Sequence, residues 1–202
     1  MDPMSWTAIV PIKPPGDRKS RLAELLSQHE RVRLSDALLW HVLDVLGHVP
    51  AIAKIVIVSA VPPAGWTGAW SLDAGRGLNA ELQAASALIG SNVLVIHADL
   101  PALAVDDVEA LIASAGNGVA IAPDRHQSGT NALAVADVAN FSFSFGVGSF
   151  ARHRVIAGER GAIVCRDGLA LDIDFPDDFA LALERGLLAS WRAEGRVVSS
   201  AF

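Results

Sequence analysis

Apolar and polar positions along this chain follow two periods, and the periods take turns. Thr7-Ala-Ile-Val-Pro-Ile12, Lys54-Ile-Val-Ile-Val-Ser59 and Asn92-Val-Leu-Val-Ile-His97 are short, nearly continuous apolar runs rich in β-branched residues. Runs of that length read as strands of a sheet covered on both faces. Over residues 30–49 the spacing changes: Leu34, Leu38, Val42, Val45 and Val49 recur at three and four, the apolar face of a helix. Further helices are predicted from residue 77 or so to 89, over 105–114, from Ser149 to about residue 160, and from Pro176 onward. Further strands are predicted over 118–123 and 132–135, and the Phe/Ser alternation of Phe141-Ser-Phe-Ser-Phe145 predicts a half-buried one. Residues 62–77, with Trp66 and Trp70, read as a loop, and 169–174 as an extended segment. Strands alternating with helices give an α/β fold built on a largely parallel sheet.

A chain of 202 residues suits one domain, 1–202, with a full core. Its net charge of -6 argues against non-specific nucleic-acid binding. No apolar run reaches the ~18–20 residues that span a membrane, and Met1 to Trp6 lacks a signal-peptide pattern. The single cysteine, Cys165, excludes a disulfide framework and fits a cytoplasmic setting. It ends an apolar run, Ala162-Ile-Val-Cys165, so a buried, inert thiol is expected.

The candidate chemistry sits at strand ends, where α/β proteins keep their ligands. Lys13-Pro-Pro-Gly-Asp-Arg-Lys-Ser-Arg21 follows the first strand and carries four positive charges in nine residues, a composition suited to a nucleoside triphosphate or to a solvated basic loop. The P-loop spacing is absent. Gly75-Arg-Gly-Leu-Asn79 opens a helix, where a glycine backbone and Asn79 suit a base edge or a plain helix cap. Ala98-Asp-Leu-Pro101 puts a carboxylate at a strand tip, a place for Mg²⁺ or for a turn. Ile121-Ala-Pro-Asp-Arg-His-Gln-Ser-Gly-Thr-Asn-Ala-Leu133 empties a strand into donors, among them Arg125, His126 and Thr130, before a second strand begins. Gly146-Val-Gly148 before Ser149 is a second anion site at a helix start. Asp172 and Asp174, two apart in an extended stretch, face one side and repel unless a cation lies between them.

Taken in order, these pieces resemble a known family, the 2-phospho-L-lactate guanylyltransferases of coenzyme F420 biosynthesis and their phosphoenolpyruvate-using relatives. The marks are Val10-Pro-Ile-Lys13 with Lys19-Ser-Arg-Leu22, Gly77-Leu-Asn79, Ala98-Asp-Leu-Pro101, Ala122-Pro-Asp-Arg-His126, Gly129-Thr-Asn-Ala-Leu133, Phe145-Gly-Val-Gly-Ser-Phe150 with Arg152-His153, and Asp172-Ile-Asp174 with Pro176-Asp-Asp178. Together they cover nearly the whole chain. His97 departs from the pattern by standing where a proline is expected, and Ser59-Ala-Val-Pro62 lacks an acidic residue common there.

The resemblance implies a three-layer α/β/α, Rossmann-like nucleotidyltransferase fold of the nucleotide-diphospho-sugar transferase kind. It implies that GMP passes from GTP, the substrate, to the phosphate of a small phosphorylated acid: 2-phospho-L-lactate, phosphoenolpyruvate or 3-phosphoglycerate. Pyrophosphate leaves, one or two Mg²⁺ ions assist, and the product passes to the next enzyme of the pathway. Asp99, Asp172 and Asp174 are the expected metal ligands. Lys13, Lys19 and Arg21 are the expected contacts to the triphosphate and, with Asp99, the catalytic set; Gly77 and Asn79 are the expected guanine readers. Thr130, Gly146 and Ser149 are expected to touch the acceptor, with Arg125 and His126 beside them. Two other readings are a transferase acting on a molybdopterin or sugar phosphate and a non-enzymatic nucleotide sensor. The first loop lacks the Gly-Gly-x-Ser-x-Arg-x-Gly pattern of the former, and the three aspartates exceed what the latter needs.

Overall fold

A computed structural model describes residues 5–14, 19–90, 92–189 and 191. Seven strands form one sheet: β1 (Trp6–Pro11), β2 (Ile52–Ser59), β3 (Ala69–Leu72), β4 (Val93–Ile96), β5 (Val119–Pro123), β6 (Thr130–Val135) and β7 (Gly161–Ile163). Their order is β3-β2-β1-β4-β6-β5-β7. Strand β6 alone runs antiparallel to its neighbours; every other pairing is parallel. Among the described residues six α-helices accompany them: α1 (Gln28–Gly47), α2 (Leu78–Ala87), α3 (Val105–Ala115), α4 (Ser149–Ala157), α5 (Asp167–Ala170) and α6 (Pro176–Glu184).

The pleat sorts the apolar runs between two cores. Ala8, Val10, Leu94, Ile96, Ala132 and Ala134 face α1 and α3. Ile9, Val93, Val95, Leu133 and Val135 face α2, α4 and Phe141, Phe143 and Phe145. This is the three-layer arrangement expected from the continuous apolar strands. Helix α1 starts on a capping box: the Ser27 hydroxyl accepts from the Glu30 amide, and the Glu30 carboxylate accepts from the Ser27 amide.

A third, smaller core matters more for function. Leu22, Leu26, Leu34, Leu38, Leu171, Ile173, Phe179 and Ala182 pack together. Burying side chains of this kind is worth about 1.5–3 kcal/mol each. Leu171 and Ile173 are anchored in it, so the intervening and following Asp172 and Asp174 are turned the other way.

Several expectations are revised. Residues 62–77 contain edge strand β3, on which the Trp70 indole N–H donates to the carbonyl and hydroxyl oxygens of Ser59. Leu169 and Ala170 belong to α5, so the extended stretch begins at Leu171 and pairs with no strand. Residues 141–145 alternate in burial as a strand would but join no ladder, because side chains take their backbone groups. Cys165 is exposed, not buried. Val164 turns inward to the core and leaves its neighbour facing out.

Candidate active site

The sheet changes direction between β1 and β4. From β1 the chain builds outward through β2 and β3; β4 begins the other half. Ligands in open α/β sheets bind in the crevice past the strand ends at such a switch. Lys13 follows β1 and Asp99 follows β4, so the topology brings both to that crevice.

Asp99 is the centre of the site. One oxygen of each of Asp99, Asp172 and Asp174 lies within 4.8 Å of the others. Backbone ties set this up. The Ile173 amide donates to the Asp99 carbonyl oxygen at 3.2 Å, which pins the 171–174 stretch against the tip of β4. The Asn131 amide donates to Asp172 Oδ1 at 3.2 Å and to the carbonyls of Leu169 and Ala170. Lys19 enters from the other side, in the left-handed region at φ 53°, and its ammonium donates to Asp99 Oδ2 and to the Ile173 carbonyl, both at 2.5 Å. It also lies 3.7 Å from Asp174. Arg21 reaches Asp174 at 3.2 Å and stacks over the Phe175 ring.

The charges are unbalanced in an informative way. Burial opposes the charge of Lys19, yet Asp99 and Asp174 outweigh it and raise its pKa. Burial likewise opposes ionisation of Asp99, and Lys19 nonetheless holds it below the usual carboxylate range. Asp172 has no such cation. Burial, reinforced by Asp99, lifts its carboxyl to about 7 despite the Asn131 hydrogen bond. His97, between strand and cluster, is pushed down by burial. Asp99 Oδ1 is buried without a hydrogen-bond partner among the described residues. A hard divalent cation fits this donor set, all carboxylate oxygen with one unsatisfied atom and excess negative charge.

The neighbouring turn is built for an anion. Arg152 gathers the carbonyls of the 144–147 segment: its guanidinium donates to the carbonyl oxygens of Ser144, Phe145 and Val147 and to the Ser144 hydroxyl. With those carbonyls drawn to one side, the amides of Gly146, Val147 and Gly148 donate to no backbone carbonyl among the described residues. Gly146 at φ 115° and Gly148 at φ 72° hold conformations that favour glycine. The turn opens α4, whose dipole adds to the attraction.

Thr130 and Ser149, expected at the acceptor, are buried beside this turn; Thr130 bonds to His153 Nδ1 at 2.9 Å. Gly146 is exposed. Arg125 and His126 take other positions. The Arg125 guanidinium grips Asp178 Oδ1, with Nε at 2.9 Å and Nη2 at 2.6 Å. The His126 side chain is exposed, while Asp124 satisfies its loop from within, accepting from the amides of His126, Ser128 and Gly129.

The nucleotide side also differs from expectation. Gly77, at φ 95°, is the N-cap of α2 and has open space above it. Asn79 was expected to read a base, but both polar atoms of its amide are used: Oδ1 accepts from the Phe145 amide at 2.7 Å and Nδ2 donates to the Phe145 carbonyl at 3.1 Å. It fastens the acceptor turn to α2. The 74–77 loop is held instead by buried Glu81, which accepts from the amides of Ala74 and Arg76 and pairs with the Arg76 guanidinium. The Arg76 hydrogen bond brings its pKa down to about 2.

Asn131, His153, Arg152 and Glu81 emerge only from the structure as supports of the site. Asn131 and the Arg152-His153 pair lie inside motifs of the sequence, but their partners are 38 to 41 and 5 to 23 residues away along the chain.

Comparison with known proteins bears on the family and the fold. The family model described as "Guanylyl transferase CofC like" matches residues 6–184. A phosphoenolpyruvate guanylyltransferase of Sphaerobacter thermophilus is 38% identical over 188 residues, covering 87% of this chain and 91% of that protein. The enzyme of the same name from Roseiflexus sp. is 38% identical over 183 residues, covering 85% and 82%. Among solved structures, a nucleotidyl transferase from Methanothermobacter thermautotroptrophicus matches with a TM-score of 0.63 at 15% identity, over 92% of this chain and 99% of that one. A CMP:2-keto-3-deoxy-manno-octonic acid synthetase solved with CTP matches with a TM-score of 0.57 at 12% identity, over 92% and 99%. At such identities the solved structures speak for the fold alone.

Proposed function

The chain belongs to the CofC-like guanylyl transferase family, and from that premise we propose that it joins GMP from GTP to the phosphate of a small phosphorylated acid, phosphoenolpyruvate first among the candidates, in coenzyme F420 biosynthesis. The observation that carries this reading is the Asp99–Asp172–Asp174 cluster with its unsatisfied buried oxygen; the glycine turn with open amides supports it.

The reaction forms a bond between an acceptor phosphate oxygen and the α-phosphorus of GTP and breaks the bond from that phosphorus to the β-phosphate bridging oxygen. No side-chain nucleophile is needed, so positioning and charge neutralisation do the catalysis. Asp99, Asp172 and Asp174 would hold Mg²⁺, which when bound neutralises triphosphate charge and lowers the repulsion toward an anionic nucleophile. Lys13, Lys19 and Arg21 line the same crevice and take up charge on the departing pyrophosphate. The Gly77 backbone and the 74–77 loop receive the guanine. The amides of residues 146–148, with Ser149 and Thr130 beneath them, receive the acceptor.

GTP and small phosphorylated acids are metabolites of the cytoplasm, where we place the enzyme, and its activated product is handed on to the next enzyme of the route. No helix among the described residues is long and apolar enough to cross a membrane. The test supplies GTP, Mg²⁺ and, in separate reactions, phosphoenolpyruvate, 2-phospho-L-lactate or 3-phosphoglycerate. Pyrophosphate release with phosphoenolpyruvate, and a product mass of acid plus GMP, is the expected result. Release with another acid alone reassigns the acceptor, and release with none removes the activity.

A further inference from the structure

His153 is fully buried, carries no place in the charge cluster, and yet both of its ring nitrogens are used. The Ser144 amide donates to Nε2 at 3.0 Å. A backbone N–H has no choice of role, so Nε2 is the acceptor, and a neutral ring must then carry its hydrogen on Nδ1. Nδ1 lies 2.9 Å from Thr130 Oγ1. The Thr130 hydroxyl is therefore the acceptor in that bond, and its own hydrogen is left to donate elsewhere. No protein acceptor takes that hydrogen among the described residues. The ring's surroundings keep it neutral. Phe145 meets it edge-on at 4.8 Å and Phe141 lies at 6.3 Å. Burial first, then Arg152 and His97, press its pKa down to about 4.

We propose that His153 is a positioning residue that fixes the Thr130 hydroxyl as a hydrogen-bond donor toward the anionic acceptor, by locking its own ring in the Nδ1–H tautomer against the Ser144 amide. Without that lock the Thr130 hydroxyl could turn its hydrogen to the imidazole and present only lone pairs to a phosphate or carboxylate. The same ring ties strand β6 to the 141–145 segment, while the glycine turn that follows is held by Arg152 and Asn79. The inference rests on the acceptor reading of Thr130 given above.

Two substitutions separate the ring's two bonds. Asparagine places its amide near the Nδ1 position, and glutamine places its amide near Nε2. His153→Asn keeps a donor for Thr130 and loses the Ser144 contact; His153→Gln does the reverse. With GTP held saturating, Thr130→Val and His153→Gln are expected to raise the acceptor KM alike, by about 10-fold, the loss of one hydrogen bond to a charged group. His153→Asn is expected to stay within about 3-fold of the wild type in acceptor KM while lowering the urea midpoint more than His153→Gln does. The KM for GTP is expected to move in none of them. In the wild type, nitrogen-15 spectra of the ring are expected to show Nδ1 protonated and Nε2 bare at neutral pH, a readout that needs neither variant to fold. An Nε2-protonated ring overturns the proposal, as does an unchanged acceptor KM in His153→Gln where Thr130→Val raises it. An unchanged KM in Thr130→Val, with the Nδ1–H tautomer intact, instead strikes the acceptor reading beneath it.

Discussion

Lys19 Nζ sits 2.5 Å from Asp99 Oδ2, with the Ile173 carbonyl at the same distance on its other side. The ammonium occupies one flank of the carboxylate cluster, and the second Asp99 oxygen stays buried and unpaired. Asp99→Asn therefore has two effects. It removes a metal ligand and the charge opposite Lys19. Turnover should fall by at least about 100-fold, measured as Mg²⁺-dependent pyrophosphate release. Stability should fall by about 1–3 kcal/mol in urea, because Lys19 keeps only the more distant Asp174 and Asp172 as counter-charges. Full turnover in Asp99→Asn would take Asp99 out of the mechanism.

Asn79 gives a second outcome. Both polar atoms of its amide bond the Phe145 backbone, next to Gly146. Asn79→Ala should raise the acceptor KM several-fold and lower stability by about 1–2 kcal/mol. The ratio of kcat/KM for GTP over ATP should stay within about 2-fold, since one hydrogen bond to a base would be worth considerably more. A collapse of that ratio would restore the base-reading role.

The contrast between Asn79 and Asp172 shows what the sequence carries. Asp172 and Asp174 are legible because alternation is local: Leu171 and Ile173 want a core, so their neighbours must face the other way. Strands β1, β2, β4, β5 and β6 follow from runs of apolar residues in the same way, whereas the strand order does not. Asn79 is a different case. Its place in the Gly77-Leu-Asn79 motif is visible, but its partner lies 66 residues on, and a lone amide does not announce a backbone it will bind. The same limit applies to 141–145. Its alternation is real, as Phe141, Phe143 and Phe145 are buried. Whether an alternating segment joins a sheet depends on what else reaches its amides, and here Asn79 and His153 do. Cys165 misled for a related reason, since an apolar run ends inward or outward according to its register against the core.

His153 sets a pH dependence. Its pKa is about 4 in the fold, against an ordinary 6.5. Between those values the unfolded chain takes up a proton that the folded chain refuses, so folding stability rises with pH across the window and is lost as pH falls toward 4. The contribution is on the order of 1–3 kcal/mol. Asp172, lifted to about 7, works the other way over the same window, so the check is a comparison: from pH 6.5 to 4 in metal-free buffer the urea midpoint of the wild type should fall relative to that of His153→Gln. Equal slopes would mean that the ring is protonated in the fold across this range.

Arg125 and Asp178 supply the last prediction. Asp178 Oδ1 receives the Arg125 guanidinium, and Oδ2 receives the amides of Asp174 at 3.1 Å and Phe175 at 2.7 Å. Arg125, on the loop that joins β5 to β6, thus acts on the metal-ligand stretch through the first turn of α6. Arg125→Ala should lower affinity for Mn²⁺, as a spectroscopic stand-in for Mg²⁺, by up to about 10-fold, the usual scale for a group that orients a ligand. It should cost about 1–2 kcal/mol of stability, because Asp178 is buried while Arg125 is partly exposed. The acceptor KM, measured at saturating metal, should hold. Arg125→Lys should recover only part of the metal affinity, since an ammonium cannot make both contacts of the guanidinium at once. If Arg125 met the acceptor's carboxylate instead, the pattern would invert: the acceptor KM would rise in Arg125→Ala and metal binding would not change.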